Sequence, residues 1–289
     1  EDLILRKSFI ASVENVIKKL IPLSKDGGPA IIVGYPRNDN GKLKNSAALI
    51  DNGDISIVDK YHLPNYGVFD EARVFDSERV SGPISFKGIR LGLMICEDMW
   101  FPDVAESLQE SGAQILIVIN GSPFDQNKED ERISVAVSRV VETKLPLIYV
   151  NQIGGQDELV FDGGSFALDK NSKLCLQSSL WVEENNFVEL IKDNSGLINI
   201  LGSKVNAISA GLESKYNAMV LGLRDYVIKN NFKGVLLGLS GGIDSALAAA
   251  IAVDALGCDK VRGIRMPSKY SSKGSLDDAE ETGKLLNIK

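Results

Sequence analysis

Apolar positions recur at helical spacing through residues 4–20 (ILRKSFIASVENVIKKL), and Ile21-Pro22 ends the run. The period then changes. Residues 30–35 (AIIVGY) form a short β-branched run that predicts a buried strand. Residues 45–58 predict two strands about Asp51-Asn52-Gly53-Asp54, whose Asn-Gly pair marks a tight hairpin turn. Residues 84–96 (ISFKGIRLGLMIC) repeat the strand–turn–strand theme. A helix over 104–111, a buried strand over 114–119 (QILIVI), a helix over 130–143 and a strand over 146–151 follow. Short strands broken by Gly and Asn continue to about Ile191. Short strands followed by helices predict an α/β unit.

Residues 193–211 are polar, weakly periodic and interrupted by Gly, Ser and Asn, which predicts a linker. Beyond it the alternation is cleaner: helix 212–229, strand 234–239, loop 240–242, Ala-rich helix 243–256, strand 261–266 and helix 276–286. That is a βαβ unit and implies a parallel sheet with a right-handed crossover. The chain thus divides into a domain over 1–192, a linker over 193–211 and the beginning of a second domain over 212–289.

Composition narrows the classes. At 289 residues the chain has the length of about two domains, and 44% hydrophobic with 25% charged residues is a globular composition. No apolar run approaches the roughly 18 residues of a membrane span, and EDLILRKSF lacks the order of a signal peptide. A net charge of −7 argues against nucleic acid as a partner. Cys96, Cys175 and Cys258 are too scattered for a disulfide framework or zinc cluster, so the expected compartment is the reducing cytoplasm. His62 is the one histidine, which excludes multi-histidine metal sites.

Cys96 ends an apolar strand and is followed by Glu97 and Asp98. A strand end is where a side chain can leave the core and meet a substrate. A free thiol has a pKa of about 8.5, so a nucleophilic cysteine needs a base or a cation nearby, and two adjacent carboxylates oppose that. Lys60, at another strand end, is a candidate cation. Taken alone, Cys96 also reads as a small buried apolar group, and His62 as a packing or hydrogen-bonding residue.

The ordered set Lys60-x-x-Leu63-Pro64-x-Tyr66-x-x-Phe69-x-Glu71, then Cys96-Glu97-Asp98, then Asn120-Gly-Ser-Pro-Phe124 resembles the nitrilase, or carbon–nitrogen hydrolase, superfamily. More closely, it resembles the glutamine amidohydrolase domain of glutamine-dependent NAD⁺ synthetases, over nearly all of residues 1–190. The resemblance implies an α-β-β-α sandwich with a Glu-Lys-Cys triad. Cys96 matches the nucleophile, Lys60 the cation that stabilises the oxyanion and thiolate, and Glu71 a second, supporting glutamate. Tyr66, Glu97, Ser122 and Lys128 match the positions that grip glutamine, with Lys128 standing where some relatives have Arg. The family's general-base glutamate lies in a Phe-Pro-Glu segment upstream of a stretch like Glu1-Asp2-Leu3-Ile4-Leu5-Arg6, so Glu1 does not match it. The segment as given is expected to lack that base and its first strand, and to show little glutaminase activity.

Gly238-Leu239-Ser240-Gly241-Gly242-Ile243-Asp244-Ser245 joins a strand to a helix. Glycines let a backbone approach an anion, and a helix N-terminus offers unpaired N–H groups; read blandly, Ser240 and Asp244 are helix caps. Ser-Gly-Gly-x-Asp-Ser resembles the pyrophosphate loop of the N-type ATP pyrophosphatases, a Rossmann-like parallel-sheet fold. The resemblance implies that Ser240, Gly241, Gly242, Ile243 and Ser245 cradle ATP phosphates, that Asp244 holds Mg²⁺, and that Arg265 meets the nucleotide. Lys269 and Ser271 are candidates for the second substrate's side, or simply a solvated loop.

Together the two halves imply a ligase that takes small-molecule substrates: deamido-NAD⁺, ATP and glutamine give NAD⁺, AMP, pyrophosphate and glutamate. The family also implies a homo-oligomer. Two alternatives stay open: a glutamine-dependent ATP pyrophosphatase with another acceptor acid, and a degenerate nucleotide-binding subunit without catalysis.

Overall fold

The computed structural model describes residues 3–126, 128–194, 196–202, 204–208, 211–267 and 272–289. Glu1, Lys269 and Ser271 lie outside the described residues. Helix α1 (Lys7–Leu20) turns Ile10 and Ile17 inward. Strands β1 (Ile31–Asp39), β2 (Lys42–Asp51) and β3 (Asp54–Asp59) form an antiparallel sheet in that order. Alternation divides its two faces. Ile31, Val33 and Tyr35 pack with Ala48 and Ile50 under α1, whereas Ile32, Ala47 and Leu49 face a second sheet. The β2–β3 turn has Asn52 at φ 48° and Gly53 at φ 91°, the left-handed pair the sequence predicts for a tight hairpin.

A single helical turn, α2 (Glu71–Val74), lies in the crossing to the second sheet. There β4 (Ile84–Phe86) and β5 (Ile89–Ile95) are followed by α3 (Pro102–Glu110), β6 (Ile115–Asn120), α4 (Lys128–Thr143) and β7 (Leu147–Asn151). Strands β5, β6 and β7 are parallel, so α3 and α4 are crossovers lying on the outer face against Met94, Leu116, Val118 and Tyr149. Strand β6 is covered on both faces, which is why its sequence is a continuous apolar run rather than an alternating one. The layers are α1, three strands, seven strands, then α3 and α4: the expected α-β-β-α sandwich.

Next come a hairpin of β8 (Ile153–Gln156) and β9 (Leu159–Asp162), strands β10 (Phe166–Leu168) and β11 (Leu174–Gln177), and a ribbon of β12 (Val188–Lys192) with β13 (Ile198–Gly202). Strand β14 (Lys204–Val205) pairs with β11, and the large sheet runs β14-β11-β10-β7-β6-β5-β4. This corrects the linker expected over 193–211. Ile198 and Ile200 of β13 are buried, with Ile200 in the core between the sheets, so residues 198–205 belong to the first unit. Their weak periodicity reflects a short ribbon of five residues, too brief to register as a pattern.

Helix α5 (Leu212–Lys229) opens the second unit, followed by β15 (Val235–Gly238), α6 (Ile243–Leu256), β16 (Val261–Ile264) and α7 (Lys273–Leu285). Strands β15 and β16 are parallel, as the βαβ reading predicts. The two units meet where α5 lies on the β8–β9 hairpin. Gly155 N donates to Asp225 Oδ2 at 2.8 Å, and Lys229 Nζ donates to Gly155 O at 2.6 Å. The approach is close: a Cβ on Gly155 would sit 3.1 Å from Gly222 Cα. Among the described residues no helix is long and apolar enough to cross a membrane.

Candidate active site

Strand β5 delivers Cys96 to the mouth of the sandwich, and residues Cys96–Met99 turn at once into one 3-10 turn. Cys96 sits at φ 49°, a left-handed conformation that costs a non-glycine residue of order 1–2 kcal/mol. The reversal ends the strand, and Cys96 packs against the cluster of Ala47, Val58, Leu93 and Ile95 between the sheets. Asp98 holds the turn: its Oδ2 accepts from Ile95 N at 3.1 Å. Its Oδ1 accepts from Tyr61 N at 3.0 Å and from His62 N at 2.8 Å.

Lys60 follows β3 directly, and its N donates to Asn45 O at 2.8 Å. Its side chain is fully buried, and its ammonium lies 2.7 Å from Oε1 and 2.8 Å from Oε2 of Glu71. Glu71 opens α2, where its N donates to Pro64 O, and its Oε2 also accepts from Asn45 Nδ2 at 3.2 Å. A pocket of about 360 Å³, lined by Tyr35, Asn45, Phe69, Glu71, Phe75 and Leu159 among others, opens beside this glutamate.

Burial pushes the Cys96 thiol up, Lys60 pulls it down, and Glu71, Glu97 and Asp98 push it up again; the net direction is up. The resting group is therefore a thiol. The sequence expectation that Lys60 stabilises a thiolate meets an opposing fact here, because the ammonium already faces the Glu71 carboxylate.

Of the four residues expected to grip glutamine, two come together. Tyr66 Oη donates to Glu97 at 2.8 and 3.0 Å, and burial with this carboxylate raises the phenol's pKa. Ser122 is buried, and its Oγ accepts from Arg132 Nε at 3.1 Å. Lys128, at the start of α4, places its ammonium 5.0 Å over the Trp100 ring. His62 bonds Asp103 through Nε2 at 2.8 Å and stacks on Phe101, the hydrogen-bonding and packing role expected of it.

Asp98, which the sequence offered only as part of the Cys96-Glu97-Asp98 run, and a second buried cluster frame the site. Arg132 donates to both oxygens of Asp162 at 2.9 Å and to the carbonyls of Ser122 and Pro123. Asn151 Oδ1 accepts from Ser122 N at 2.9 Å. One signal was available for Arg132: it falls four residues before Ala136 and eight before Val140 on the buried stripe of α4, and a buried guanidinium must have a partner. The partner itself, thirty residues on, has no sequence signature.

In the second unit the loop after β15 closes on itself. Ser240 N donates to Ser245 Oγ at 3.2 Å, Gly242 N donates to Ser240 Oγ at 3.2 Å, and Ser245 Oγ donates to Gly242 O at 2.9 Å. Gly241 has φ 83°, and a Cβ there would stand 2.2 Å from Ser275 O. Only glycine meets both demands. Asp244 is exposed in the first turn of α6, and among the described residues no cluster of three His, Cys, Asp or Glu side chains could hold a metal by itself. Arg265, expected at the nucleotide, is exposed and paired with Glu280 at 2.9 Å.

Residues 6–193 match the carbon–nitrogen hydrolase family and residues 215–289 match the NAD synthase family. The chain is 41% identical over 290 residues to a glutamine-dependent NAD(+) synthetase of Rhodobacter capsulatus, covering 100% of this chain and 52% of that one. It superimposes with a TM-score of 0.90 and 34% identity on a glutamine-dependent NAD+ synthetase of Acinetobacter baumannii in complex with ADP, covering 100% of this chain and 54% of that one. A carbon–nitrogen hydrolase of Helicobacter pylori, at 24% identity and TM-score 0.54 over 58% of this chain and 65% of that one, shares the fold. The chain spans about half the length of the curated relatives it matches. It belongs to the carbon–nitrogen hydrolase family over its first unit, and its second unit is similar to the NAD synthase family.

Proposed function

We propose that this chain carries the amidase half, and the opening of the ligase half, of a glutamine-dependent NAD⁺ synthetase. The observation that carries the reading is that one chain holds both a constellation of Cys96 and Lys60 at strand ends with Glu71 at the start of α2, and a Ser240–Ser245 loop at a helix N-terminus. Each half needs the other: hydrolysis of an amide releases ammonia, and an adenylylated carboxylate consumes it.

In this reading Cys96 Sγ attacks the side-chain amide carbon of glutamine. An ammonium has three N–H donors; Glu71 takes two from Lys60, which leaves one for the developing oxyanion. Glu71 holds the Lys60 ammonium in place. Glu71, Glu97 and Asp98 are each engaged by donors, so proton acceptance from the thiol falls to the upstream glutamate of the family pattern. Tyr66, Glu97, Ser122 and Lys128 orient glutamine, Ser122 through the backbone frame that Arg132 and Asn151 hold rigid.

At the second site Ser240, Gly241, Gly242, Ile243 and Ser245 receive the phosphates of Mg²⁺–ATP, and the lone Asp244 carboxylate suits a Mg²⁺ that takes its remaining ligands from phosphate and water. Arg265 reaches the nucleotide by exchanging Glu280 for it. Deamido-NAD⁺ is the acceptor, AMP and pyrophosphate leave, and the setting is cytoplasmic in a homo-oligomer.

The test uses the full-length gene product. With ammonium chloride, Mg²⁺–ATP and deamido-NAD⁺ it should form AMP and NAD⁺; no AMP overturns the synthetase reading. Cys96→Ala should lose glutamine-dependent synthesis and keep ammonia-dependent synthesis. Loss of both would make Cys96 structural.

A further inference from the structure

Asp98 is 2% exposed and stands between the two segments that bear the reactive groups. One of its oxygens takes the N–H groups of Tyr61 and His62, immediately after Lys60. The other takes the N–H of Ile95, immediately before Cys96. Lys60 and Cys96 belong to different sheets, and the described contacts between them are electrostatic rather than a direct bond. Packing of Ala47 and Val58 on Leu93 and Ile95 sets the distance between the sheets, and Asp98 supplies the polar link between the two segments. The left-handed backbone of Cys96 sharpens the point, because strain persists only where neighbouring bonds over-determine it. Leaving the carboxylate ionised there is costly: burial drives Asp98 toward its neutral form, and the three backbone donors with Lys60 oppose that.

We propose that Asp98 is the positioning residue of this site: its buried carboxylate joins the segment after Lys60 to the turn that carries Cys96, and so sets the spacing of ammonium and sulfur. This rests on the amidase reading for its consequence in catalysis, though not for its geometry. Asp98 does not touch the reacting atoms. It acts through two backbone segments, and a displacement of about 1 Å at a reacting centre costs on the order of 100-fold.

Asp98→Asn in the full-length gene product keeps the size and one acceptor oxygen but loses the charge. The expected result is a fall in kcat for glutamate release of about 100-fold with KM changed by less than about threefold. Ammonia-dependent synthesis should be unchanged. Alkylation of Cys96 by iodoacetamide, read on its own peptide by mass spectrometry, should move to higher pH, because loosening the turn takes the sulfur away from Lys60, the strongest of the charges acting on it, whereas the lost Asp98 carboxylate is the weakest. Cys175 and Cys258 in the same sample should not move. A kcat within about twofold of wild type, or a lowered kcat with a Cys96 alkylation profile that is unmoved or moved to lower pH, overturns the proposal. If ammonia-dependent synthesis is lost as well, Asp98→Glu decides: it keeps the charge and displaces it by a methylene, so wild-type glutamate release in that variant overturns the proposal. A wild-type protein that releases no glutamate, with the Cys96 profile still moved to higher pH by Asp98→Asn, sinks the amidase reading and supports the positioning role.

Discussion

The ammonium of Lys60 and the carboxylate of Glu71, eleven residues apart in the chain, meet at 2.7 Å in a setting that hides the lysine completely. Removing one partner of a buried pair leaves the other charge uncompensated. Glu71→Ala should lower stability by about 3 kcal/mol, read as a drop in the urea midpoint, and should abolish glutamine turnover. It should also speed alkylation of Cys96 at neutral pH, since Glu71 is one of the groups that push the thiol up. Lys60→Met should slow that alkylation. Equal alkylation rates in the two variants would contradict the electrostatic account.

Gly241 answers to both a left-handed φ and the proximity of Ser275. Gly241→Ala should move the Ser240–Ser245 loop and cut ATP-dependent synthesis by about 100-fold, from ammonia and from glutamine alike. Glutamate release from glutamine without ATP should persist. Parallel assays of the two half-reactions check this, and a loss confined to glutaminase would contradict the proposed role.

Glu184 offers a clean acid titration. Backbone N–H donation from Ser179, then Lys204 and Asn186, holds it at about 2 against an ordinary 4.5. Its folded-state value is lowered, so its contribution is complete above pH 4.5 and fades as pH falls toward 2. Wild type should therefore exceed Glu184→Gln in Tm near neutrality, with the gap closing on acidification. A gap independent of pH would mean that packing, not charge, is responsible.

Asp225 grips the Gly155 peptide from α5, and Lys229 grips its other side. A hydrogen bond to a charged group contributes about 1.5–3 kcal/mol, and here it spans the two units. Asp225→Ala should loosen α5 from the β8–β9 hairpin and raise the rate of protease cleavage between residues 205 and 212. Asp225→Asn, which retains an acceptor for Gly155 N, should recover most of the resistance. Identical cleavage rates in all three proteins would show that the hydrogen bond does not hold the units together.

Much of the fold was legible because its signals are local. Asn52-Gly53 at the β2–β3 turn, the unbroken apolar run of β6 and the Gly-rich entry to α6 each state their conformation within a few residues. The order and type of Cys96, Lys60, Glu71 and the Ser240–Ser245 loop singled them out as candidates, and the structure brings Lys60 to Glu71 and closes the loop on itself. The β12–β13 ribbon was not, because its strands are five residues long and are stabilised by Ile200 reaching a core built by distant strands. Arg265 was a candidate for the nucleotide, and its pairing with Glu280 of α7 was not visible in the sequence. Arg132 with Asp162, and Asp98 with three backbone donors, were out of reach for the same reason.

Sequence alone determined what depends on local chemistry: where the backbone turns left-handed, which runs alternate, and which side chains can be nucleophile, cation or hydrogen-bond donor to phosphate. Tertiary structure alone decided which charges neutralise one another. Coulomb energy follows distance and burial, and neither quantity exists for Lys60 and Glu71, or for Arg132 and Asp162, until the sheets have packed.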